Sequence, residues 1–351
     1  LIDDMAELSR MGVTSLKIEG RMKGAAYVGT VTRIFDKYRR GGKVSAADRA
    51  ALTEAFSRGG SLSRGHFGSV TGRDFVSYQS HNGHLHGGAA MPETPMALVF
   101  DTAFHFTMPE YAYMYAVDYA DYEKYKVRRY GAHGTSHKFV SQEAAKYVGK
   151  NIEDMKIVTC HLGNGSSITA VKGGKCIDTS MGFTPLAGVP MGTRSGDIDY
   201  AAAEYIARKE GMNVTEMLTY LNKECGMKGI SGGYSDFRDL TSREEAGDKR
   251  SKLALDMFSY ACKKYVGAYA AAMNGLDCLV FTAGVGENTP SVRSAICKDM
   301  QYLGLEIDEE KNLLKNDGSI RDITGKNSKV RVLIIPTNEE LVIARETLAL
   351  V

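Results

Sequence analysis

No apolar run in this 351-residue chain is long enough to cross a bilayer, and no signal peptide opens it. A membrane partner is therefore not expected, and a cytoplasmic location is. The net charge is only +2, which argues against nucleic acid or any other polyanionic partner. The six cysteines (Cys160, Cys176, Cys225, Cys262, Cys278, Cys297) are widely spaced and contain no C-x-x-C pair. That spacing argues against a zinc or disulfide framework and predicts reduced, mostly buried thiols. The chain opens at Leu1 rather than Met, so it is expected to be incomplete at its start. What is present, 43% hydrophobic and 25% charged residues, is ordinary for a soluble globular protein, and the length suggests two or three domains.

The chain is organised around Ile157 to Asp197. Ile157 to Leu162 reads as a buried strand, broken at Gly163-Asn164-Gly165-Ser166-Ser167. Ile168 to Val171 and Cys176 to Thr179 read as two more strands around a Gly-Gly turn, giving an antiparallel meander. Gly163 and Gly165 let the backbone approach a ligand, and the amides with the Ser166 and Ser167 hydroxyls supply donors suited to phosphate oxygens. An ordinary hairpin turn is the competing reading. It is not a Walker A loop, because no Gly-Lys-Ser/Thr closes it and a strand follows. Met191-Gly192-Thr193-Arg194-Ser195-Gly196-Asp197 is a second Gly-flanked loop, whose lone Arg194 is aimed at an anion.

Other stretches carry chemistry too. Pro95 to Phe100 is read as a strand that places Asp101 at its carboxyl end, the usual active edge of an α/β sheet; an Asp capping a loop is the alternative. The tyrosines from Tyr111 to Tyr125 read as packing or an interface. Arg129-Tyr130-Gly131-Ala132-His133-Gly134-Thr135-Ser136-His137 opens a helix, with Thr135 the expected N-cap, His133 facing the site and His137 structural. No Glu follows His133 in the zinc pattern H-E-x-x-H. Helices are expected from Tyr200 to Lys209 and Thr215 to Glu224, stopped by Gly211 and Gly226. Gly232 to Asp239 is a loop of paired charges. Lys252 to Met273 is a long helix with an apolar stripe, and Cys278 to Thr282 a buried strand. Ala283-Gly284-Val285-Gly286-Glu287-Asn288 then forms a Gly-rich loop before a helix capped by Thr289 with Pro290 at its first position, a nucleotide-binding edge. Val330 to Pro336 is the last strand. Thr337 and Glu340 fit a capping box, which leaves Glu339 able to hold a metal.

Residues 1–90 differ in character, with 13 Lys/Arg against 8 Asp/Glu and no cysteine. Asp3 to Arg10 reads as the end of a helix, Val13 to Ile18 as a strand, and Ala25 to Arg40 as an amphipathic helix. Ser45 is the N-cap of a helix through Phe56. His81, His84 and His86 sit in a Gly-rich stretch read as a solvated linker rather than a metal site. Composition shifts near Ala89–Pro92, and the domain boundary is placed there: 1–90, then 91–351.

From about Met91 to Val351 the chain closely resembles the acetate kinase family, of the acetate and sugar kinase, Hsp70 and actin superfamily. The motifs are Phe100-Asp101-Thr102-Ala103-Phe104-His105, Arg129 to His137, His161 to Ser167, Gly192 to Asp197, Gly284 to Asn288 and Thr337-Asn338-Glu339-Glu340. Ala132 departs from the family's usual Phe. Residues 1–83, through Ser15 to Lys23, Phe56 to Gly60, His66 to Gly68 and Gly72 to Asp74, resemble a fragment of the U32 peptidase family. The resemblance implies an α/β, RNase H-like lobe preceded by a partial U32-like α/β fragment. The acetate kinase N-terminal lobe, with its Asn-x-Gly-Ser-Ser-Ser loop, substrate-side Arg and His, does not occur here. The combination reads as an artificial junction or gene fragment, with a genuine fusion as the alternative.

The implied reaction is ATP + acetate to ADP + acetyl phosphate, reversible, with Mg²⁺ as cofactor and a homodimer as the assembly. The implied catalytic residues are Asp101 on the acetate side, and Arg194 and His133 on the transferring phosphoryl group. His161, Leu162, Gly163, Asn164 and Gly165 would hold ATP phosphates. Asp236, Phe237 and Arg238 with Gly284, Val285, Gly286, Glu287 and Asn288 would hold the adenosine end, and Glu339 would place Mg²⁺. Because a lobe is missing, activity is expected to be impaired. The alternatives are an inactive nucleotide-binding remnant, or a U32-type peptidase or RNA-modification fragment.

Overall fold

The computed structural model describes residues 99–350, together with Arg33, Ile34, Lys37, Ser45, Ala46, Ala47, Asp48 and Ala51. The chain divides into two compact units, Leu1–Val99 with Ile343–Val351, and Phe100–Val342. In the first, Ser45 caps a helical turn as expected. Its hydroxyl accepts from Asp48 N at 3.1 Å, and the Asp48 carboxylate accepts from Ser45 N at 3.0 Å and from Lys37 Nζ at 2.6 Å. The Lys37 ammonium, followed by the Ser45 donors, holds the Asp48 carboxyl well below its ordinary pKa. Ile34 is fully buried, in keeping with the amphipathic reading. The U32-like motifs and His81, His84 and His86 lie outside the described residues.

The second unit begins with a 3-10 turn, Ala103–Thr107, then short helices α1 (Glu110–Tyr113) and α2 (Tyr119–Tyr125), then α3 (Gly134–Val148). The meander follows as β1 (Lys156–Leu162), β2 (Ser166–Lys172) and β3 (Lys175–Thr179). A helical stretch comes next: α4 (Tyr200–Glu210), α5 (Val214–Lys223), α6 (Gly226–Ser231), α7 (Phe237–Glu245) and the long α8 (Lys249–Met273). The chain closes with β4 (Cys278–Thr282), α9 (Ala283–Asn288), α10 (Pro290–Cys297), α11 (Glu309–Asn312), β5 (Arg321–Asp322), β6 (Arg331–Ile334) and α12 (Glu339–Leu350). The sheet order is β3-β2-β1-β4-β6-β5. β1, β4 and β6 run parallel, and the meander and β5 are antiparallel to their neighbours. The carboxyl ends of three adjacent parallel strands therefore share one edge.

Strand side chains alternate between faces, and the sheet is covered on both. Val158, Cys160 and Leu162 of β1 join Ile168, Leu279, Phe281, Val332 and Ile334 in a core with Leu255, Phe258, Cys262 and Val266 of α8. Ile157, Val171, Val280 and Leu333 point the other way, onto Phe139, Val140 and Ala144 of α3. The α8 stripe read from the sequence is thus core, and the six cysteines are free thiols, all buried except the half-buried Cys225.

Several expected boundaries are corrected. Val99 and Phe100 are not strand and Asp101 lies in a turn; residues 95–98 lie outside the described residues. The N-cap of α3 is His133, in the left-handed region at φ 60°, and not Thr135, whose hydroxyl instead donates to Asp101 Oδ1 at 3.1 Å. Gly226 does not end α5 but opens α6; Asn213 and Glu216 form the capping box that starts α5. The Gly-rich segment after β4 is the short helix α9, and Thr289 makes no side-chain cap. β6 ends at Ile334. Asn338 takes the capping role at α12 by accepting from Leu341 N at 3.0 Å, while Thr337 donates to Ser136 Oγ at 2.8 Å.

Candidate active site

The loops at the shared strand edge pack closely around glycines. Gly192 N donates to Asn164 O at 3.1 Å, and a Cβ on Gly192 would lie 1.7 Å from Asn164 Oδ1. The glycine loop after β1 and the arginine loop are therefore pressed together. Gly226, at φ +62°, abuts the other side of the arginine loop: a Cβ there would lie 2.0 Å from Met191 O and 2.4 Å from Arg194 O. Asp197 clamps the loop's far end, accepting from Gly188 N at 2.8 Å and from the Tyr265 hydroxyl. Arg194 is half-buried, with Nη1 3.3 Å from Pro185 O.

Opposite Arg194 stands His133. A methyl group placed on Gly165 would lie 3.4 Å from Arg194 Nη1 and 3.7 Å from His133 Nε2, so both groups reach the small space over that glycine. Asp101 builds the strained turn that aims the ring. Its Oδ2 accepts from His133 N at 2.9 Å, its Oδ1 from Thr135, and its backbone oxygen from Gly134 N at 2.7 Å. A carboxylate at the start of α3 also complements the helix dipole. The His133 ring stacks on His161 with centroids 4.0 Å apart and planes 18° apart.

Behind these rings is a buried polar layer. Thr159 and His161 alternate with Val158, Cys160 and Leu162 in β1, so they face α3, where Ser136 and His137 lie. His137 spans Thr159 Oγ1 and Ser167 Oγ, both at 2.7 Å. Burial pushes the His137 imidazole well below its ordinary pKa, with His105 and His161 adding to the shift. Burial likewise lowers His105 from 6.5 to about 4, against the raising effect of the Ala132 carbonyl, which its Nε2–H meets at 2.9 Å.

The remaining expected site residues are placed as follows. Leu162 and Phe237 are core side chains, so only their backbone could meet a ligand. Asn164 is exposed at the tip of its loop. Asp236 caps α7 by accepting from Arg238 N and pairs with the Arg238 guanidinium at 2.7 Å; that guanidinium, then its backbone amide, lowers the Asp236 carboxyl to about 2. In α9, Gly284 has open space, Gly286 packs on β1, and Val285 is buried. Glu287 accepts from Ala283 N at 2.9 Å, and Asn288 donates to Gly284 O. Glu339 is the first residue of α12. Among the described residues no group of three or more His, Cys, Asp or Glu could cage a metal. A lone carboxylate fits a Mg²⁺ ion that arrives on nucleotide phosphates, because that ion takes only one or two protein ligands.

Sequence reasoning missed the support. Arg293 is fully buried, donating to Gly286 O at 2.9 Å and to Asn312 through Nε at 2.6 Å and Nη2 at 2.8 Å, so it pins α9 from behind. Nothing local marks it. Ser136, Thr159 and Ser167 were legible in principle, as polar residues on the α3-facing side of strands or helix.

Residues 83–345 match the acetokinase family. The chain belongs to that family. Its first 74 residues match peptidase family U32. Over 261 residues it is 57% identical to the acetate kinase of Acetivibrio thermocellus and 58% identical to that of Carboxydothermus hydrogenoformans. Each alignment covers 74% of this chain and 65% of the relative, so just under two thirds of those proteins is represented. The crystal structure of Porphyromonas gingivalis acetate kinase superposes with TM-score 0.72 at 44% identity, covering 74% of this chain and 65% of that one. A propionate kinase structure from Francisella tularensis gives 0.69 at 47%, covering 74% and 66%. The fold of the second unit is accordingly the RNase H-like α/β lobe of this acetokinase family.

Proposed function

We propose that residues 91–351 form the nucleotide-binding lobe of an acetate kinase, built to move the ATP γ-phosphoryl group to and from acetate. The observation that carries this reading is the convergence of Arg194 and His133 Nε2 over Gly165. Phosphoryl transfer needs positioning and charge neutralisation more than covalent chemistry. In that scheme Arg194 and His133 hold the equatorial oxygens of the group in flight. Asp101 acts as a positioning residue, setting the His133 turn with both carboxylate oxygens, and helps order the acetate side. Backbone groups from His161 to Gly165, with Asn164 above them, hold the phosphates. Asp236 to Arg238 and Gly284 to Asn288 frame the adenosine end. Mg²⁺ would enter on the nucleotide, with Glu339 its protein ligand, and would neutralise phosphate charge.

The family likeness also supports a cytoplasmic homodimer with neither nucleic acid nor membrane as partner. The boundary placed near residue 90 would join pieces of two families, whose matches end at residue 74 and begin at residue 83; mass spectrometry of the chain from its native source tests it. These 351 residues by themselves are expected to bind nucleotide without turning it over, because their alignments cover only 65% of the relatives. One lobe cannot align donor and acceptor, and orientation alone is worth about 7–11 kcal/mol of barrier. Titration calorimetry of the full chain with ADP is expected to show weak binding that Asn164→Ala abolishes. Identical heats in both would reject the loop assignment. A coupled acetyl phosphate assay is expected to show no turnover; turnover that disappears in Arg194→Ala would mean residues 1–90 complete the cleft.

A further inference from the structure

His133 and His161 are each gripped from behind through Nδ1. Ser167 Oγ lies 2.8 Å from His133 Nδ1 and 2.7 Å from His137 Nε2, and His137 Nδ1 lies 2.7 Å from Thr159 Oγ1. All four residues are buried. His137, depressed by its burial, is neutral and carries one ring proton. Ser167 has one proton to share between two imidazole nitrogens, so the chain of bonds runs in one of two directions.

In the first, Ser167 donates to His137, His137 Nδ1–H points at Thr159, and the Thr159 hydroxyl must donate elsewhere. Its other acceptor among the described residues, Thr169 O, is 3.5 Å away, at the limit of a hydrogen bond. In the second, Thr159 donates to His137 Nδ1, His137 Nε2–H to Ser167, and Ser167 to His133 Nδ1. Every donor then has a partner within 2.8 Å. Buried donors are rarely left unpaired, and the second direction satisfies that rule.

We propose that Thr159, His137 and Ser167 are a positioning relay that fixes His133 as the neutral Nε2–H tautomer. His133 then offers a hydrogen-bond donor, rather than a lone pair, to an oxygen over Gly165. That last step rests on the phosphoryl-transfer reading; the tautomer itself does not. The surroundings agree. Arg194 Nη1 reaches the same space over Gly165 as His133 Nε2, and a guanidinium there disfavours a second positive charge on the ring. Two stacked rings 4.0 Å apart would repel if both were cations. A matching relay serves His161: Thr337 donates to Ser136, leaving the Ser136 proton for His161 Nδ1, each at 2.8 Å.

The test is nitrogen NMR on the full chain labelled with ¹⁵N-histidine, with His133 assigned by the signals lost in His133→Gln. At about pH 9, well above the ordinary imidazole pKa of about 6.5, His133 is expected to show an unprotonated Nδ1 and a protonated Nε2. Ser167→Ala is expected to move both nitrogens toward a shared, averaged position, and Ser167→Thr, which restores a hydroxyl, to return them. Thr159→Val is expected to shift them the same way as Ser167→Ala and serves if that variant does not fold. A protonated Nδ1 in the wild type, a doubly protonated ring, or spectra unchanged by Ser167→Ala or Thr159→Val would overturn the relay. The readout needs no substrate, so it fails or stands independently of ADP binding.

Discussion

The two faces of the central sheet carry different information. On the α8 face, β1 contributes Val158, Cys160 and Leu162, all fully buried against apolar partners such as Phe258 and Val266. On the α3 face the same strand contributes Ile157, Thr159 and His161, and near the strand end the neighbours are Ser136, His137 and Ser167. The first face is non-directional: apolar surface of about the right volume stabilises it, and many residues would serve. The second is directional, because each hydroxyl and ring nitrogen must find a partner or cost free energy. One face supplies stability, and the other converts it into fixed positions for His133 and His161.

The largest expected effect lies on the apolar face. Phe258, fully buried and meeting the Phe237 ring at 4.7 Å, should cost about 3–5 kcal/mol when replaced by Ala. Urea unfolding measures it, and the loss should not depend on pH. A loss that varied with pH would blur the two faces.

Acid sensitivity should come from the polar face. His105 titrates near 4 when folded and near 6.5 when unfolded, and His137 is shifted the same way. The unfolded chain therefore binds more protons between those values, so stability is full above about pH 6.5 and is lost as pH falls toward 4. His105 accounts for about 3 kcal/mol of that loss. His105→Asn should flatten the unfolding free energy across this window; an unchanged slope would deny the assignment.

A smaller effect separates the faces within one strand. Thr159→Val improves strand propensity yet should destabilise by about 1–3 kcal/mol, because His137 Nδ1 loses its partner. A stabilised variant would mean that the polar face tolerates apolar substitution as the other does. The smallest effect is at Arg238, exposed at the start of α7 and paired with Asp236. Arg238→Ala should leave the thermal midpoint unchanged and weaken ADP binding in calorimetry; unaltered binding would remove it from the site.

Local pattern determined much of this protein. Short apolar runs between glycine-bearing turns marked the strands of the meander, helical spacing marked the α8 stripe as core or subunit interface, and glycine clusters marked the loops around Asn164 and Arg194. Those signals are legible because backbone geometry and burial act on near neighbours. Two of the errors share a cause. Thr135 and Thr337 look like helix caps in their own sequence, but Thr135 bonds Asp101 and Thr337 bonds Ser136, 201 residues away. Asn338, beside Thr337, takes the cap instead. Only the tertiary structure decided that β1, β4 and β6 lie parallel and adjacent, which brings loops near residues 163, 283 and 337 to one edge. Only it set Arg194 against His133 over Gly165, placed Arg293 behind α9, and gave the imidazole chain a direction. A hydroxyl can donate only one proton, and which distant partner receives it depends on where the fold has placed both.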